Sequence, residues 1–532
     1  MGAGRGRMTC RVACGVACGV AMGVLLTLGG CRQAGRVGAA AGAPSPATGA
    51  VVQLLLVNDV YVTDTLRDGR GGVARVAALR DSVARATGAP VLLLLAGDVL
   101  SPSVLSKWYQ GRQMVEGFNA ARLDLATLGN HEFDGGRPAL LAALAASRFR
   151  WLSGNCGDAT TGAPFPGVRG WDTVRVGPTK VGVFGTTVVV DYPSWVACRP
   201  AGPVTTALVD TLVAQGAELV VGLTHHFIHE DSATLAREPR LHAILGGHEH
   251  DGRRMALDGR LLVKAMSNAR TAVLVTFTRS ARGWRVADRS IPVGPGMAED
   301  GPTAAVVARW RDSLVRRIGP DRVLGTVVEP INALDSVSRG GESRFGNLVA
   351  DALRAGTGAD VALVNSGALR FDDVIAPGPV TRHLIEGIFL FADETRVVTF
   401  PLTGARLRAL LEVGVRPGGL GAGPYPQVSG VRVTVDARRP GGDRVVGALR
   451  RDDGREIAPT DTVRAAFVTY PACRGGDGYR IPEAAPACDA LAADPARFPR
   501  SVDLLARHLE GMGARIVAPP VGRVTRLDRR TP

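Results

Sequence analysis

Five apolar runs constrain this chain more than any other feature. "VVQLLLV" (51–57), "VLLLLAGD" (91–98), "KVGVFGTT" (180–187), "ELVVGLTHH" (218–226) and "LHAILGGHEH" (241–250) are too continuously apolar for strands with one wet face. They read as strands buried on both faces. Between the first two, Val76, Leu79 and Val83 recur at helical spacing. Buried strands alternating with helices predict a layered α/β domain. Polar residues gather where the runs end: Asp59, Asp98, the Asn130-His131 pair, His225, His248 and His250. Open α/β sheets bind ligands beyond the C-terminal ends of their strands, so these polar ends should converge. Turn and cap roles would account for Asp98 or Asn130 alone. They do not explain why most of the nine histidines follow such strands.

At 532 residues the chain exceeds one ordinary core, and two domains with extras are expected. Residues 302–318 read as a helix with Val307, Trp310, Leu314 and Ile318 on one face,. It is expected to bridge the domains. Beyond it, "ESRFGNLVADALR" (342–354) places Phe345, Leu348, Val349, Ala352 and Leu353 on one helical face. "ADVALVNSGALR" (359–370) then reads as a strand running into a Gly-containing loop, and 417–426 as a Gly/Pro-rich loop,. The expected boundaries are 1–30 for an export signal, 31–50 for a tether, 51–296 for the first domain, 297–325 for a linker helix and 326–532 for the second domain.

The formal net charge of +14 raises nucleic acid as a partner,. The basic residues are almost all arginines, with Lys107, Lys180 and Lys264 the only lysines, and they form no dense run interleaved with aromatics. Nucleic-acid binding is therefore not supported. Arg5, Arg7 and Arg11 precede an apolar segment that ends in "LGGC" at Cys31, the layout of a secretory address. The ending resembles a lipobox, which implies a lipid on Cys31, a membrane anchor and a place in the cell envelope; the alternatives are an ordinary signal peptide and a single N-terminal anchor. Four cysteines follow: Cys156, Cys198, Cys473 and Cys488. Four allow three pairings. Sequence neighbours suggest Cys156 with Cys198 and Cys473 with Cys488, one bridge per domain in an oxidising compartment.

Carboxylate, amide and imidazole donors suit hard phosphate chemistry with divalent cations better than thiolates do. "ND" at 58–59, "GD" at 97–98, "GNHEFD" at 129–134, "TH" at 224–225 and "GGHEH" at 246–250 occur in that order. Together they resemble the calcineurin-like metallophosphoesterases, specifically the two-domain bacterial 5'-nucleotidase/UDP-sugar hydrolases. "ESRFGNLVADAL", "NSGALR", "LTGARLRALLE" (402–412) and "GGDGY" (475–479) resemble that family's C-terminal domain.

The resemblance implies a four-layer α/β/β/α phosphoesterase domain and a second α/β (α+β) substrate-binding domain. It also implies two divalent ions from among Mn, Zn, Co, Mg and Fe. Asp98 would bridge them, Asn130, His225 and His248 would complete one position, and Asp59 and His250 would hold the other. His131, oriented by Asp134, would assist beside the scissile phosphate. His226 and His229 fall outside the motifs and are read as packing or solvent residues, and His242 as a strand-junction residue.

On the substrate side, Asn365, Gly367, Arg370, Phe391 and Asp477 match the family pattern. The second aromatic ring is expected at Pro471, with Tyr470 beside it. An expected arginine is replaced by Gly341, with Arg339 and Arg344 nearby. The implied function is phosphohydrolysis of a small substrate, a nucleotide or nucleotide-sugar, by attack of metal-bound hydroxide on phosphorus. Rival readings are a cyclic phosphodiesterase, a thiosulfohydrolase-like enzyme, and a catalytically impaired surface protein that binds nucleotides.

Tyr61 departs from the pattern. It stands where the family's Asp-x-His pair has histidine. A phenol ordinarily ionises at about 10, yet an adjacent dication favours its phenolate, and phosphatases of the purple acid type carry a tyrosinate on iron. Tyr61 is thus an oxygen ligand, a bystander, or the mark of a lost activity. The other ligands are intact, which argues against the last.

Overall fold

The computed structural model describes residue 49 and residues 51–390, 396–419 and 421–528. The N-terminal address, Cys31, most of the tether and Phe391 lie outside the described residues.

The five apolar runs sit in two sheets. The first has seven strands in the order Gly283–Pro292, Thr271–Ser280, Val51–Val57, Val91–Ala96, Leu125–Thr127, Arg150–Leu152, Val168–Arg169. From Val51–Val57 onward the pairings are parallel. The second has six, in the order Arg253–Leu257, Arg260–Lys264, Ala243–Gly247, Leu219–His225, Thr179–Thr187, Trp171–Val176, with antiparallel strands at the two edges.

Period-two alternation explains why the runs are almost continuously apolar; the exception in the first is Gln53, buried with its amide donating to Thr87 Oγ1 at 2.8 Å. Leu54 and Leu56 face the other sheet and meet Val181, Val183, Val221 and Leu245. Leu55 and Val57 face outward and meet Val76, Val83, Met114 and Phe118. Those last four lie on helices Val73–Thr87 and Arg112–Ala120, while helices Ala201–Ala214 and Ile228–Arg237 cover the second sheet. The layers are helix, sheet, sheet, helix. Each buried Leu contributes about 1.5–3 kcal/mol relative to exposure.

Helix Gly301–Ile318 starts at Asp300, whose carboxylate accepts from Thr303 N at 3.1 Å. It packs on the first domain, where Trp310 Nε1 donates to Glu116 Oε2 at 3.1 Å and Tyr109 Oη to the Ser313 carbonyl at 3.0 Å. The second domain is mixed α/β. One of its sheets has the order Val397–Thr403, Thr462–Val468, Val361–Asn365, Pro426–Ser429. Helix Arg344–Thr357 packs against it through the five predicted apolar residues, all buried. Disulfides join Cys156 to Cys198 and Cys473 to Cys488.

Both domains belong to one compact unit. At their junction Lys107, from helix Val104–Tyr109, donates to the Phe389 carbonyl at 3.1 Å and lies 3.3 Å from Glu386.

Candidate metal centre and substrate cleft

Parallel strands deliver the predicted residues to a common edge. Asp59 and Asp98 follow Val51–Val57 and Val91–Ala96, His225 closes Leu219–His225, and His248 and His250 follow Ala243–Gly247. His225 Nε2 lies 3.2 Å from Asp98 Oδ2, and its Nδ1 meets the Ala96 carbonyl at 2.8 Å. His248 N donates to Asp59 Oδ2 at 3.0 Å, while its Nδ1 lies 3.2 Å from Asn130 Oδ1. Donor atoms of Asp59, Asp98 and His225 all lie within 4.8 Å of one another.

This packing requires missing side chains and distorted backbone. A Cβ on Gly129 would overlap the Asp98 carboxylate, and one on Gly247 the Ala96 carbonyl. Asp59, Asp98 and His248 have φ of 52°, 56° and 87°, a left-handed backbone that costs a non-glycine residue about 1–3 kcal/mol.

Charge tests whether cations fit. Burial pushes the Asp59 carboxyl up; His225 and His250 offset this, and the Asp98 charge adds to it. Burial also opposes the Asp98 charge, but His225, His131 and their hydrogen bonds hold its carboxyl well below the usual range. Burial and the neighbouring His225 push His248 down, so it is a neutral imidazole. Two buried carboxylates, an amide and neutral imidazole nitrogen form a donor set suited to divalent ions. The residues fit the pair.

The Tyr61 phenol enters this cluster. It is 7% exposed, and its oxygen lies 3.2 Å from Asp98 Oδ2, 3.1 Å from His250 Nε2 and 3.5 Å from Asp59 Oδ1. Burial, then Asp98 and Asp59, push its pKa well up, so the metal-free side chain is a neutral phenol.

His131 Nδ1 meets Asp134 Oδ2 at 2.8 Å and its Nε2 points toward Asp98 Oδ2 at 4.0 Å. Above it, Arg370 of the second domain brings a guanidinium nitrogen within 3.4 Å of His131 Nε2. Asn365 donates to Asp477 Oδ2 at 2.6 Å, and Gly367 faces Gly423 and that carboxylate. Burial pushes the Asp477 carboxyl up, and the Asn365 hydrogen bond with the charges of Arg339, Arg416 and Arg370 offsets this only in part. The Tyr470 ring crowds Gly476, where an added Cβ would meet three of its carbons. His226 is buried on Thr186 Oγ1 at 2.9 Å, His229 is exposed, and His242 accepts from Val220 N at the strand edge.

Several working residues escaped sequence reasoning. Glu132, inside "GNHEFD", accepts backbone N–H groups from Asp98, Val99, Leu100 and Gly129, tying the loops that carry Asp98 and Asn130 together. Asn58 donates to Asp59 Oδ2 at 2.7 Å and accepts from Ala265 N at 2.7 Å. Buried Lys264 donates to the Gly247 and His226 carbonyls and to Glu249. For Glu132 and Asn58 the signal was membership of the motif strings; Lys264 had none.

The layered fold and the carboxylate-histidine cluster at its strand edge define a metal-dependent phosphoesterase. The pattern of the calcineurin-like phosphoesterases matches residues 52–252, and that of the 5'-nucleotidase C-terminal domain matches residues 323–484. The chain belongs to the 5'-nucleotidase family that joins these two domains, whose phosphoesterase domain uses two divalent metals. A snake venom 5'-nucleotidase of Naja atra is 26% identical over 426 residues, covering 70% of this chain and 78% of that one. The structure of a 5'-nucleotidase precursor from Thermus thermophilus is similar with TM-score 0.76 at 25% identity, covering 90% and 100% of the two chains. A sulfate thiohydrolase SoxB from the same organism shares the fold, with TM-score 0.73 at 21% identity over 92% and 98% of the chains.

Proposed function

We propose that this phosphoesterase is an exported, lipid-anchored 5'-nucleotidase or nucleotide-sugar hydrolase. The observation that carries the reading is the approach of Arg370, from one domain, to His131 and the Asp98 cluster of the other. A phosphoryl group between them would meet a guanidinium, an imidazole and the metal positions together. When bound, divalent ions held by Asp59, Asp98, Asn130, His225, His248 and His250 would supply Lewis-acid charge against phosphoryl oxygens. Asp134 fixes the His131 ring through Nδ1, leaving Nε2 to hold or give a proton at the reacting oxygens. Arg370 binds the phosphate through its charge.

Asn365, Gly367 and Asp477, with Arg339 nearby, form the wall on which the rest of the substrate rests. Phe391 and Tyr470 are proposed to stack on a base. Export is supported by the N-terminal address and the two disulfides. No helix among the described residues is long and apolar enough to cross a membrane. The proposed attachment is the lipid on Cys31, which rests on the "LGGC" ending of the N-terminal segment.

The test is a substrate screen of the mature chain with Mn, Zn, Co, Mg and Fe in turn. Nucleoside 5'-monophosphates and nucleotide-sugars should be hydrolysed faster than a small aryl phosphate, a cyclic nucleotide or a thiosulfonate ester. Preference for any of the last three overturns the substrate reading. Tight nucleotide binding without turnover under every metal overturns the enzyme reading.

A further inference from the structure

Asp372 follows the "NSGALR" loop in the second domain, yet its side chain reaches a candidate ligand of the first. Its Oδ2 lies 2.9 Å from His250 Nδ1. Two contacts fix it there: Oδ1 accepts from Asp335 N at 3.0 Å, and the Asp372 carbonyl accepts from Arg270 of the first domain at 3.1 Å, with the Asp372 backbone left-handed at φ 45°. The other ring nitrogen, Nε2, faces Tyr61 Oη at 3.1 Å and Asp59 Oδ1 at 3.8 Å, toward the proposed metal position.

An ionised carboxylate only accepts hydrogen bonds, so the Nδ1 beside Asp372 carries the hydrogen and Nε2 is the nitrogen that can turn a lone pair to an ion. Carboxylates placed this way behind a metal-binding histidine set its tautomer and ring orientation and raise its basicity. His250, Asp335 and Asp372 also lie close enough to suggest an ion site of their own. The arginines argue otherwise, because Asp335 already faces the guanidiniums of Arg339 at 2.5 Å and Arg370 at 3.6 Å.

We infer that Asp372 is a positioning residue for His250, so that docking of the second domain completes one of the two metal positions in the first. The inference rests on the proposed ligand role of His250. One loop then does two things at once. Arg370 faces the phosphate position while Asp372, two residues on, orients a ligand behind the metal.

Mn²⁺ binding to the full mature chain tests this by calorimetry, without reference to turnover. Asp372→Ala should weaken one Mn²⁺ position about 10–100-fold and leave the other unchanged. Asp372→Asn, whose amide oxygen still accepts and whose size is preserved, should weaken it less. His250→Ala serves as reference and should lose the same ion. If His250→Ala loses an ion but both Asp372 variants bind Mn²⁺ as the parent does, the positioning inference falls and the ligand reading stands. If His250→Ala binds both ions at full affinity, the ligand reading itself falls and takes the inference with it. Lys107→Glu sets a like charge against Glu386 to open the domains, checked by small-angle scattering. An open form that still binds both ions as tightly as the parent overturns the coupling to docking.

Discussion

Glu386 is the carboxylate around which the domain junction is built. Lys107 lies 3.3 Å from it, Arg382 2.7 Å and Arg500 3.1 Å. The Lys107 and Glu386 side chains are only 4% and 3% exposed. Burial opposes the Glu386 charge, but Lys107, Arg500 and Arg382 hold its carboxyl below the usual range, so it is ionised at neutral pH. Glu386→Gln leaves three cations converging on a neutral amide, with Asp503 still beside Arg382 at 2.6 Å. Removing one partner from a buried pair costs about 3–5 kcal/mol. Lys107→Met differs, because its apolar stem survives and Glu386 keeps both arginines; about 1 kcal/mol is expected, the net worth of one hydrogen bond. With Lys107 already gone, one stranded cation fewer remains, and Glu386→Gln should cost about 2 kcal/mol less than in the parent. Urea unfolding of the parent, both single variants and the double variant, followed by tryptophan fluorescence at pH 7, measures this. Equal losses from the two single changes, or strict additivity, would refute the reasoning.

Tyr61→Phe should lower affinity for one ion by at least about tenfold, or about 1.4 kcal/mol, with reduced turnover, whereas Tyr61→His should keep both. Unchanged metal content and rate in Tyr61→Phe would make the phenol a bystander. The metal-free protein should also lose stability as pH rises. Burial opposes protonation of His225, but Asp98 and Asp59 push its pKa up from 6.5 to about 10, so its contribution is whole below about 6.5 and lost on rising through about 10. Asp98, held low, contributes above about 4 and loses that on acidification. Chelated protein should therefore melt highest between these limits and fall toward pH 10, as scanning calorimetry can record. A flat profile from pH 6 to 10 would contradict the charge assignments.

The runs that become central strands were legible because burial on both faces removes polar residues from nearly every position, with Gln53 the exception in the first. The carboxylate-histidine cluster was legible because each of its members lies within a few residues of a strand end. Asp372 was not. It meets His250 across 122 positions of sequence, from a loop with no periodicity to announce a partner. Lys107 and Glu386, 279 positions apart, were hidden for the same reason. Helix Gly301–Ile318 was visible from its apolar face, but only the contacts of Trp310 and Tyr109 show that it is packed on the first domain. Tyr61 was visible as an oddity, and the position of its oxygen required the three-dimensional arrangement of strands that the sequence does not spell out.

The two disulfides have a consequence for how such a chain is made. Cys156 joins Cys198 and Cys473 joins Cys488, at separations of 42 and 15 residues. Each bond links a thiol to the next one along the chain beyond the N-terminal segment. An oxidant that joins thiols in the order they emerge therefore makes both bonds correctly, with no wrong linkage to exchange later. The first bond can close while the second half of the polypeptide is still arriving. Of the three pairings open to four cysteines, this is the one that a chain delivered end-first reaches without shuffling.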